Sequence, residues 1–189
     1  MIQRWAWIVV LCAAGALLAG NLVLGTVVAP TLFRTLTTDH AGLGFGNILR
    51  LWTEVFAWPL VIIAASALAV IFAIRLLKGH SNWFTAAGIL ALALVGTHWW
   101  STNLVRDSIA AREYMRNVQP LRYTPTIAEG DSRAAIAKKH FDYLHRASNR
   151  AFLAQSFTAL LTVLLASGAL IFTRVESSGS QDDLDDLVP

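Results

Sequence analysis

The chain has 189 residues, of which 56% are apolar and only 14% are charged. This composition and the mean hydropathy of +0.54 lie outside the range of soluble globular domains and are typical of membrane proteins. The net charge of +3 is small, and no stripe of aromatic residues that could stack on bases runs among the basic residues, which argues against nucleic acid as a partner. The single cysteine, Cys12, excludes a disulfide framework and a cysteine-based metal site within one chain.

Four apolar stretches are long enough to cross a bilayer, which takes about 20 mostly apolar residues per helix. They cover about residues 5–30, 48–76, 83–104 and 151–172. The first stretch also has the basic start of a secretory signal peptide, but its apolar run continues through Val28, which is longer than a signal core. We therefore predict an all-α fold, a four-transmembrane-helix bundle surrounded by the lipid bilayer.

The first two connections between the predicted spans are short. Residues 33–47 form a connection in which Thr37, Thr38 and Asp39 can act as N-caps of the next helix. Residues 78–82 form a tight turn that adds almost nothing outside the membrane. The second predicted helix is therefore expected to begin before it enters the lipid.

The third connection, at about residues 106–150, is the only sizeable polar segment. The third helix is predicted to continue past the bilayer until Pro120 and Pro125 end it, and a new helix then leads into the fourth span. Helices 3 and 4 are therefore expected to extend into a helical hairpin outside the bilayer. The transmembrane domain comprises residues 1–176 in this interpretation, and residues 177–189 form a disordered acidic tail.

Basic residues are distributed unequally between the two sides of the predicted bundle. The side that holds both termini and residues 78–82 carries only Arg4, Arg75, Lys78 and Arg174, and the other arginines and lysines lie in or next to the two longer connections. The positive-inside rule then places both longer connections in the cytoplasm and both termini outside. We expect an integral protein of a bacterial inner (plasma) membrane with this orientation.

Polar side chains within the spans are the first candidates for function, because burying them in lipid is costly. They fall in the halves of the helices that lead to the longer connections: Asn21, Arg50, Glu54, His98, Asn103, Asn149 and Arg150. Glu54 and His98 lie at similar predicted depth, which is compatible with a proton-handling or cation-binding pair. The alternative is that each has a structural partner that fixes the helix register, such as Arg50 or Arg150 for Glu54.

Two histidines before the fourth span, His140 and His145, raise the question of a metal site. Five residues on an α-helix correspond to a rotation of about 500°, so the two rings point about 140° apart and cannot chelate one ion from a straight helix. We therefore expect no metal site there. The sequence also has no motif for a catalytic nucleophile, a phosphate-binding loop or zinc, and we assign no catalytic residue.

Small residues recur four positions apart, a spacing that permits close helix packing in membranes. The pairs are Gly15 with Ala19, Ala16 with Gly20, Gly42 with Gly46, and Ala87 with Ala91. The pattern predicts helix contacts within the chain or with another copy of it, and does not distinguish between the two.

Two segments of the sequence resemble a known family. Residues 29–36, at the end of the first span, and residues 141–149, where an aromatic residue, a histidine and a serine lead into the last span, are similar to the transmembrane-protein-205-like family. The resemblance implies a four-span bundle with an external helical hairpin. Members have no agreed biochemical activity, so it implies no function. The residues that it singles out are Pro30, Phe33, Phe141, His145 and Ser148.

Two classes of function remain open. The first is a non-enzymatic membrane protein, either a transport or homeostasis factor or an accessory subunit that packs against other membrane-protein subunits. The second is a membrane-bound haem or metal oxidoreductase that uses His98 with Glu54, or His140 with His145. We favour the first class, without a cofactor, because the sequence contains no catalytic constellation and its first two spans lack histidine.

Overall fold

The chain is almost entirely helical. The computed structural model describes residues 2–78, 82–118 and 127–185, and within these ranges only Leu36 and Thr37 lie outside helices. No β-strand occurs in the described ranges. The all-α prediction is therefore confirmed.

Residues 2–35 form one continuous helical segment that contains a π turn. The helix α1 (Ile2–Val23) passes through this π-helical turn (Leu24–Val28) into α2 (Ala29–Thr35). The chain leaves the helix at Leu36, whose backbone is extended with φ −118° and ψ 160°. This extended residue allows the next helix to begin in a new direction.

A second helical segment begins at a predicted capping residue. Thr37 is the N-cap of α3 (Thr38–Leu51), and its backbone carbonyl accepts a hydrogen bond from the Ala41 N–H at 2.8 Å. The helix α3 continues through a second π turn (Trp52–Phe56) into α4 (Ala57–Lys78). The second helix thus begins well before its predicted apolar stretch, as the sequence indicated.

Two long helices complete the described chain, α5 (Asn82–Val118) and α6 (Ile127–Asp185). Both extend beyond the apolar stretches that they contain. The predicted loop between them falls largely on residues 119–126, which lie outside the described residues. The backbone of α6 continues through residues 177–185 of the predicted tail, and residues 186–189 lie outside the described ranges.

Both π turns lie shortly before a proline. Pro30 and Pro59 have no N–H, and a proline ring clashes with the carbonyl four residues earlier in a regular α-helix. In the first π turn the Ala29 N–H bonds to a carbonyl five residues back, and the Ala57 N–H does the same in the second. These wider turns keep each helix continuous next to its proline, with the backbone satisfied internally as lipid requires.

Three helical segments in the described part of the chain are long and apolar enough to cross a membrane. They are Ile2–Thr35, His40–Ile74 and Ala135–Phe172. The predicted span at residues 83–104 is not among these three segments of the described chain, and its second half contains His98, Ser101 and Thr102, which lower its hydropathy. The three apolar helices indicate a membrane-embedded protein.

The helices divide into two compact units, of which the first has a mainly aliphatic core. This unit comprises Met1–Ala19, Pro59–Val95 and Phe157–Pro189. Its largest fully buried side chains are Val10, Leu17, Val61, Leu68, Ile71, Leu94 and Thr162. Gly88 packs against Phe72, where an added Cβ would lie 3.2 Å from the ring. Interdigitated apolar side chains therefore hold this unit together.

The second unit comprises Gly20–Trp58 and Gly96–Ser156 and buries more polar side chains than the first, among the residues described. Its buried polar residues are Asn21, Thr53, His98, Ser101, Thr102, Ser108, Ser148 and Gln155. These groups must find hydrogen-bond partners, since lipid offers none. The second unit is therefore the place to look for a functional site.

Several of the predicted small residues are close contact points in the second unit. Gly20 faces the Trp52 ring and Gly42 faces the Arg112 guanidinium, and in both places a Cβ would overlap the opposing group. Gly15, in contrast, has nothing within 4 Å of an added Cβ. Small residues at the same spacing therefore serve different purposes, which the spacing alone did not reveal.

We predict that Gly20→Ala lowers the stability of the protein by about 1–3 kcal/mol, because the new methyl group forces the Trp52 ring out of its place. The measurement is the thermal unfolding midpoint of the detergent-purified chain. Gly15→Ala is the matched control, and its midpoint should be unchanged or slightly higher because alanine favours the helix. Equal midpoints for the two variants would contradict the close contact at Gly20.

Candidate functional site

Asn21 is the centre of a hydrogen-bonded chain that joins three helical segments of the second unit. The Trp52 Nε1–H donates to Asn21 Oδ1 at 2.9 Å, and Asn21 Nδ2 donates to Ser156 Oγ at 3.1 Å. The Ser156 hydroxyl in turn donates to the Phe152 backbone carbonyl at 2.9 Å. Asn21 is only 2% exposed, so its amide is satisfied by protein and not by water. This chain fixes the register of the three segments.

His98 and Gln155 form a second buried polar contact. The Gln155 Nε2 lies 2.8 Å from His98 Nδ1, and both side chains are fully buried. The indole of Trp58 meets the imidazole edge-on, with ring centroids 4.6 Å apart. An amide nitrogen can only donate, so we assign His98 Nδ1 as the acceptor of this hydrogen bond. The imidazole is then neutral, with its own proton on Nε2.

Two atoms of this pair and one atom of a nearby residue are buried and have no hydrogen-bond partner among the described residues. They are His98 Nε2, Ser101 Oγ and Gln155 Oε1. The backbone of Thr53, in the second π turn, borders the imidazole. Thr102 is satisfied locally, because its hydroxyl donates to the His98 carbonyl at 2.9 Å. The α5–α6 contact thus has hydrogen-bonding atoms that the described protein groups leave unused.

Glu54 has a different partner from those that the sequence suggested. Its Oε1 lies 2.5 Å from Arg106 Nε, an ion pair between the second π turn and α5. The Arg106 side chain is 58% exposed and that of Glu54 is 26% exposed. Glu54 and His98 therefore each have a partner of their own. This arrangement agrees with the alternative in which separate partners fix the helix register, and not with a direct contact between Glu54 and His98.

The other predicted polar residues are spread around the second unit. Asn103 donates from Nδ2 to the Trp99 carbonyl of its own helix at 2.9 Å. Arg50 and Arg150 are exposed. Asn149 lines a cavity of this unit. The predicted set is therefore not one cluster but a buried network around Asn21 and His98, one ion pair, and several separate side chains.

This cavity has a volume of about 260 Å³, and we name it the Arg112 cavity. It is lined by residues of α2, α3, α5 and α6. Its apolar lining consists of Phe33, Phe45, Leu49, Val105, Ile109 and Phe141, with the small residues Ala29, Gly42 and Gly46. Its polar lining consists of Ser108, Arg112, His145, Ser148 and Asn149. The cavity thus joins an aromatic and aliphatic wall to one cationic group.

Aromatic contacts hold the cationic group of this cavity in place. The Arg112 guanidinium lies over the Phe141 ring, 5.7 Å from its centroid. Phe141 in turn stacks on His145, with centroids 5.6 Å apart and an interplanar angle of 15°. The Ser148 hydroxyl donates to the His145 carbonyl at 3.0 Å. At this distance the positive charge is attracted to the face of the aromatic ring.

Most residues singled out by the family resemblance meet at the Arg112 cavity. Phe33, Phe141, His145 and Ser148 line it, and Pro30 follows the lining residue Ala29 in sequence. His140 instead lines a second cavity of the same unit, with Asp107, Ala110, Ala111, Tyr114 and Leu144. The two histidines therefore occupy different cavities, as their angular separation on the helix predicts.

Several residues of the site were not identified from the sequence. Trp52, Gln155 and Ser156 complete the buried contacts, and Arg106 and Arg112 supply the ion pair and the cavity cation. A signal existed for Gln155 and Ser156, because they are polar residues inside an apolar stretch. No signal distinguished Arg112 from the other arginines of the long connection.

Comparison with known proteins gives no assignment for this arrangement. No family model, curated protein or solved structure matches the chain. The chemistry of the site therefore follows from its own geometry.

We predict that Gln155→Leu costs about 1–3 kcal/mol of stability, because it leaves the buried His98 Nδ1 without a partner. The measurement is the unfolding midpoint in detergent. Asn103→Leu is the control, since the Asn103 amide donates to a carbonyl of its own helix and does not join two helices through that bond. The double variant His98→Leu/Gln155→Leu should lose less than the sum of the two single variants. Strict additivity would contradict a direct pair.

For the ion pair, Glu54→Gln should change stability by less than about 1 kcal/mol, because both side chains are partly exposed and salt screens the attraction. Unfolding midpoints measured at low and high salt test this. A loss larger than that of Gln155→Leu, and independent of salt, would show that Glu54 is held in a low-dielectric environment instead.

Proposed function

We propose that this chain is a four-span integral membrane protein without enzymatic activity, a transport or homeostasis factor that binds its cargo in the Arg112 cavity. The observation that carries the proposal is the cavity itself, whose described lining combines aromatic and aliphatic walls with one guanidinium and a few polar side chains. Such a combination is typical of sites that bind small molecules, where a few polar groups fix the orientation of a largely apolar ligand.

The fourth crossing, by α5, is supported by its exposed apolar surface. Large hydrophobic side chains of α5 point outwards: Ile89 is 62% exposed, Leu92 77% and Trp99 62%. Apolar patches of this kind are rare on monomers in water and are expected where a helix faces lipid. The polar residues that lower the hydropathy of α5 are mostly buried, as His98, Ser101 and Thr102 are.

The state of the ionisable groups favours binding over catalysis. Glu54 is paired with Arg106, and His98 with Gln155, so neither is placed beside the other as an acid–base pair. Among the described residues that line the Arg112 cavity there is no carboxylate that could activate His145. General acid–base or nucleophilic catalysis needs such a second group within hydrogen-bond reach.

We also propose an orientation of the chain in the membrane and a family to which it belongs. The distribution of basic residues favours a bacterial inner membrane protein with its longer connections in the cytoplasm. Membership of the transmembrane-protein-205-like family is supported by the meeting of Phe33, Phe141, His145 and Ser148 in one cavity. Residues that are distant in sequence but line one cavity support a family assignment more strongly than the two short sequence motifs do.

Single-cysteine labelling tests the four-span arrangement. In a Cys12→Ala background, Gly79→Cys and Ser132→Cys should react with a membrane-impermeant maleimide from opposite sides, because α5 crosses the bilayer between them. Labelling of inverted and right-side-out vesicles is the measurement. Labelling of both positions from the same side would show that α5 does not cross, and would sink the four-span proposal.

Purification of the full chain in a mild detergent tests the function class. A transport or homeostasis factor should be colourless, contain less than stoichiometric metal, and purify without other subunits. An absorption band of haem, or stoichiometric metal that Glu54→Gln or His98→Leu removes, would establish the oxidoreductase instead. Stoichiometric co-purification of a larger membrane complex would establish an accessory subunit. Either result would overturn the proposed function.

A further inference from the structure

We infer that His98 and Gln155 form a buried proton-binding site, in which the imidazole is either neutral or protonated and the Gln155 amide changes its hydrogen bond accordingly. The inference goes beyond the proposed function and does not involve the Arg112 cavity, whose described lining contains neither residue. Three observations support it: a direct contact between the two side chains, an unused oxygen on the amide, and surroundings that admit no larger ligand.

The neutral form of the site is the one that the structure contains. Gln155 Nε2 donates to His98 Nδ1 at 2.8 Å, so this ring nitrogen is an acceptor and has no proton. Both side chains are fully buried. A charged imidazolium would lose its hydration in such a place, which makes the neutral form the resting one at about pH 7.

The Gln155 amide is also able to serve the protonated ring. Its Oε1 is buried and has no hydrogen-bond partner among the described residues. A half-turn about the last side-chain bond exchanges Oε1 and Nε2, and rotation about this bond has a broad, roughly two-fold profile. Oε1 then accepts from the new Nδ1–H of His98, and a hydrogen bond to a charged group is stronger than a neutral one. One side chain therefore satisfies Nδ1 in both states.

Proton uptake at this site is a simple addition to the ring. A hydronium ion of the aqueous phase gives up its proton and becomes water, and an N–H bond forms at His98 Nδ1 without any change of oxidation state. The exposed side chain of Arg106 lies about 12 Å further along α5, so the aqueous phase is near the buried ring. Transient local opening of the helix contact is enough for the exchange.

The surroundings of the ring have room for a proton but not for a molecule. His98, Ser101 and Gln155 are each 0% exposed, and their unpaired atoms are closed to water. The Trp58 indole covers the imidazole, with ring centroids 4.6 Å apart. A water molecule or a metal ion would have to displace these side chains, whereas a proton only redirects a hydrogen bond. The Ser101 hydroxyl, one turn along α5, can rotate its hydrogen to suit either state.

The described contacts of the imidazole include no other titratable group. They are made with backbone atoms and uncharged side chains: Thr53, Trp58, Thr102 and Gln155. Glu54 follows Thr53 in the second π turn, but its carboxylate is paired with Arg106. No carboxylate among the described contacts therefore holds the proton on the ring. A site that both takes up and releases its proton requires this.

The test is nitrogen-15 NMR of the full chain in detergent, with labelled histidine and glutamine side chains, between about pH 4.5 and about pH 8. On acidification His98 Nδ1 should change from an unprotonated to a protonated ring nitrogen while the chain stays folded. The side-chain amide signals of Gln155 should shift with the same midpoint, because the amide turns when the proton binds. His98→Gln identifies the ring signals, and replacement of the other histidines does so if that variant does not fold.

Two substitutions of Gln155 should change proton binding in opposite directions. Gln155→Met removes the oxygen that accepts from Nδ1–H and should weaken proton binding by about tenfold, which lowers the midpoint by about one pH unit. Gln155→Glu places a carboxylate beside the ring and should strengthen proton binding by about tenfold or more. Asn103→Leu is the control and should leave the midpoint unchanged, because Asn103 donates to a carbonyl of its own helix.

Three results would overturn the inference. They are a His98 ring that stays neutral until the chain unfolds, Gln155 signals that do not follow the ring, and a wild-type midpoint in both Gln155 variants. If Gln155→Met does not fold, Gln155→Glu alone decides the third point. The proposed function stands under each of these results, because the labelling and purification experiments test it separately.

Discussion

The pairing of polar groups away from water is the constraint on which the second unit depends. Asn21, His98 and Gln155 lie in or next to the apolar stretches of their helices, and a polar group in lipid without a partner costs several kcal/mol. The structure meets this constraint by joining residues that are far apart in sequence, such as Asn21 with Ser156. Each such contact permits one helix register and penalises the others. The first unit relies mainly on the shape of its apolar side chains.

The π turns extend the same constraint to the backbone. Proline removes a donor from the helix, and a helix in lipid has no water to satisfy the carbonyl left over. The turns Leu24–Val28 and Trp52–Phe56 absorb this defect without ending the helix. The second one also contains Trp52 and Glu54, which contact Asn21 and Arg106. The local irregularity thus coincides with the residues that connect the helices, as is common for π turns at functional positions.

The second unit contains two polar environments that differ in what they can do. The Asn21 and His98 contacts are buried and join helices that are distant in sequence, so they serve specificity and rigidity. The Arg112 cavity instead has a largely aromatic and aliphatic lining, and its guanidinium lies over the Phe141 ring. The hydrogen-bonded contacts fix the helices relative to one another within this unit, whereas the cavity lies between α2, α3, α5 and α6.

The sequence by itself determined that the chain is all-α, three of its apolar helical segments, and a helix start near residues 37–39, because these depend on composition and local spacing along the chain. It also identified Asn21, Glu54 and His98 as groups that need partners. Only the tertiary structure decided who those partners are, namely Trp52 and Ser156, Arg106, and Gln155. Partner choice depends on the rotation and depth of each helix relative to its neighbours. A single π turn changes that rotation, and no local pattern in the chain records the result.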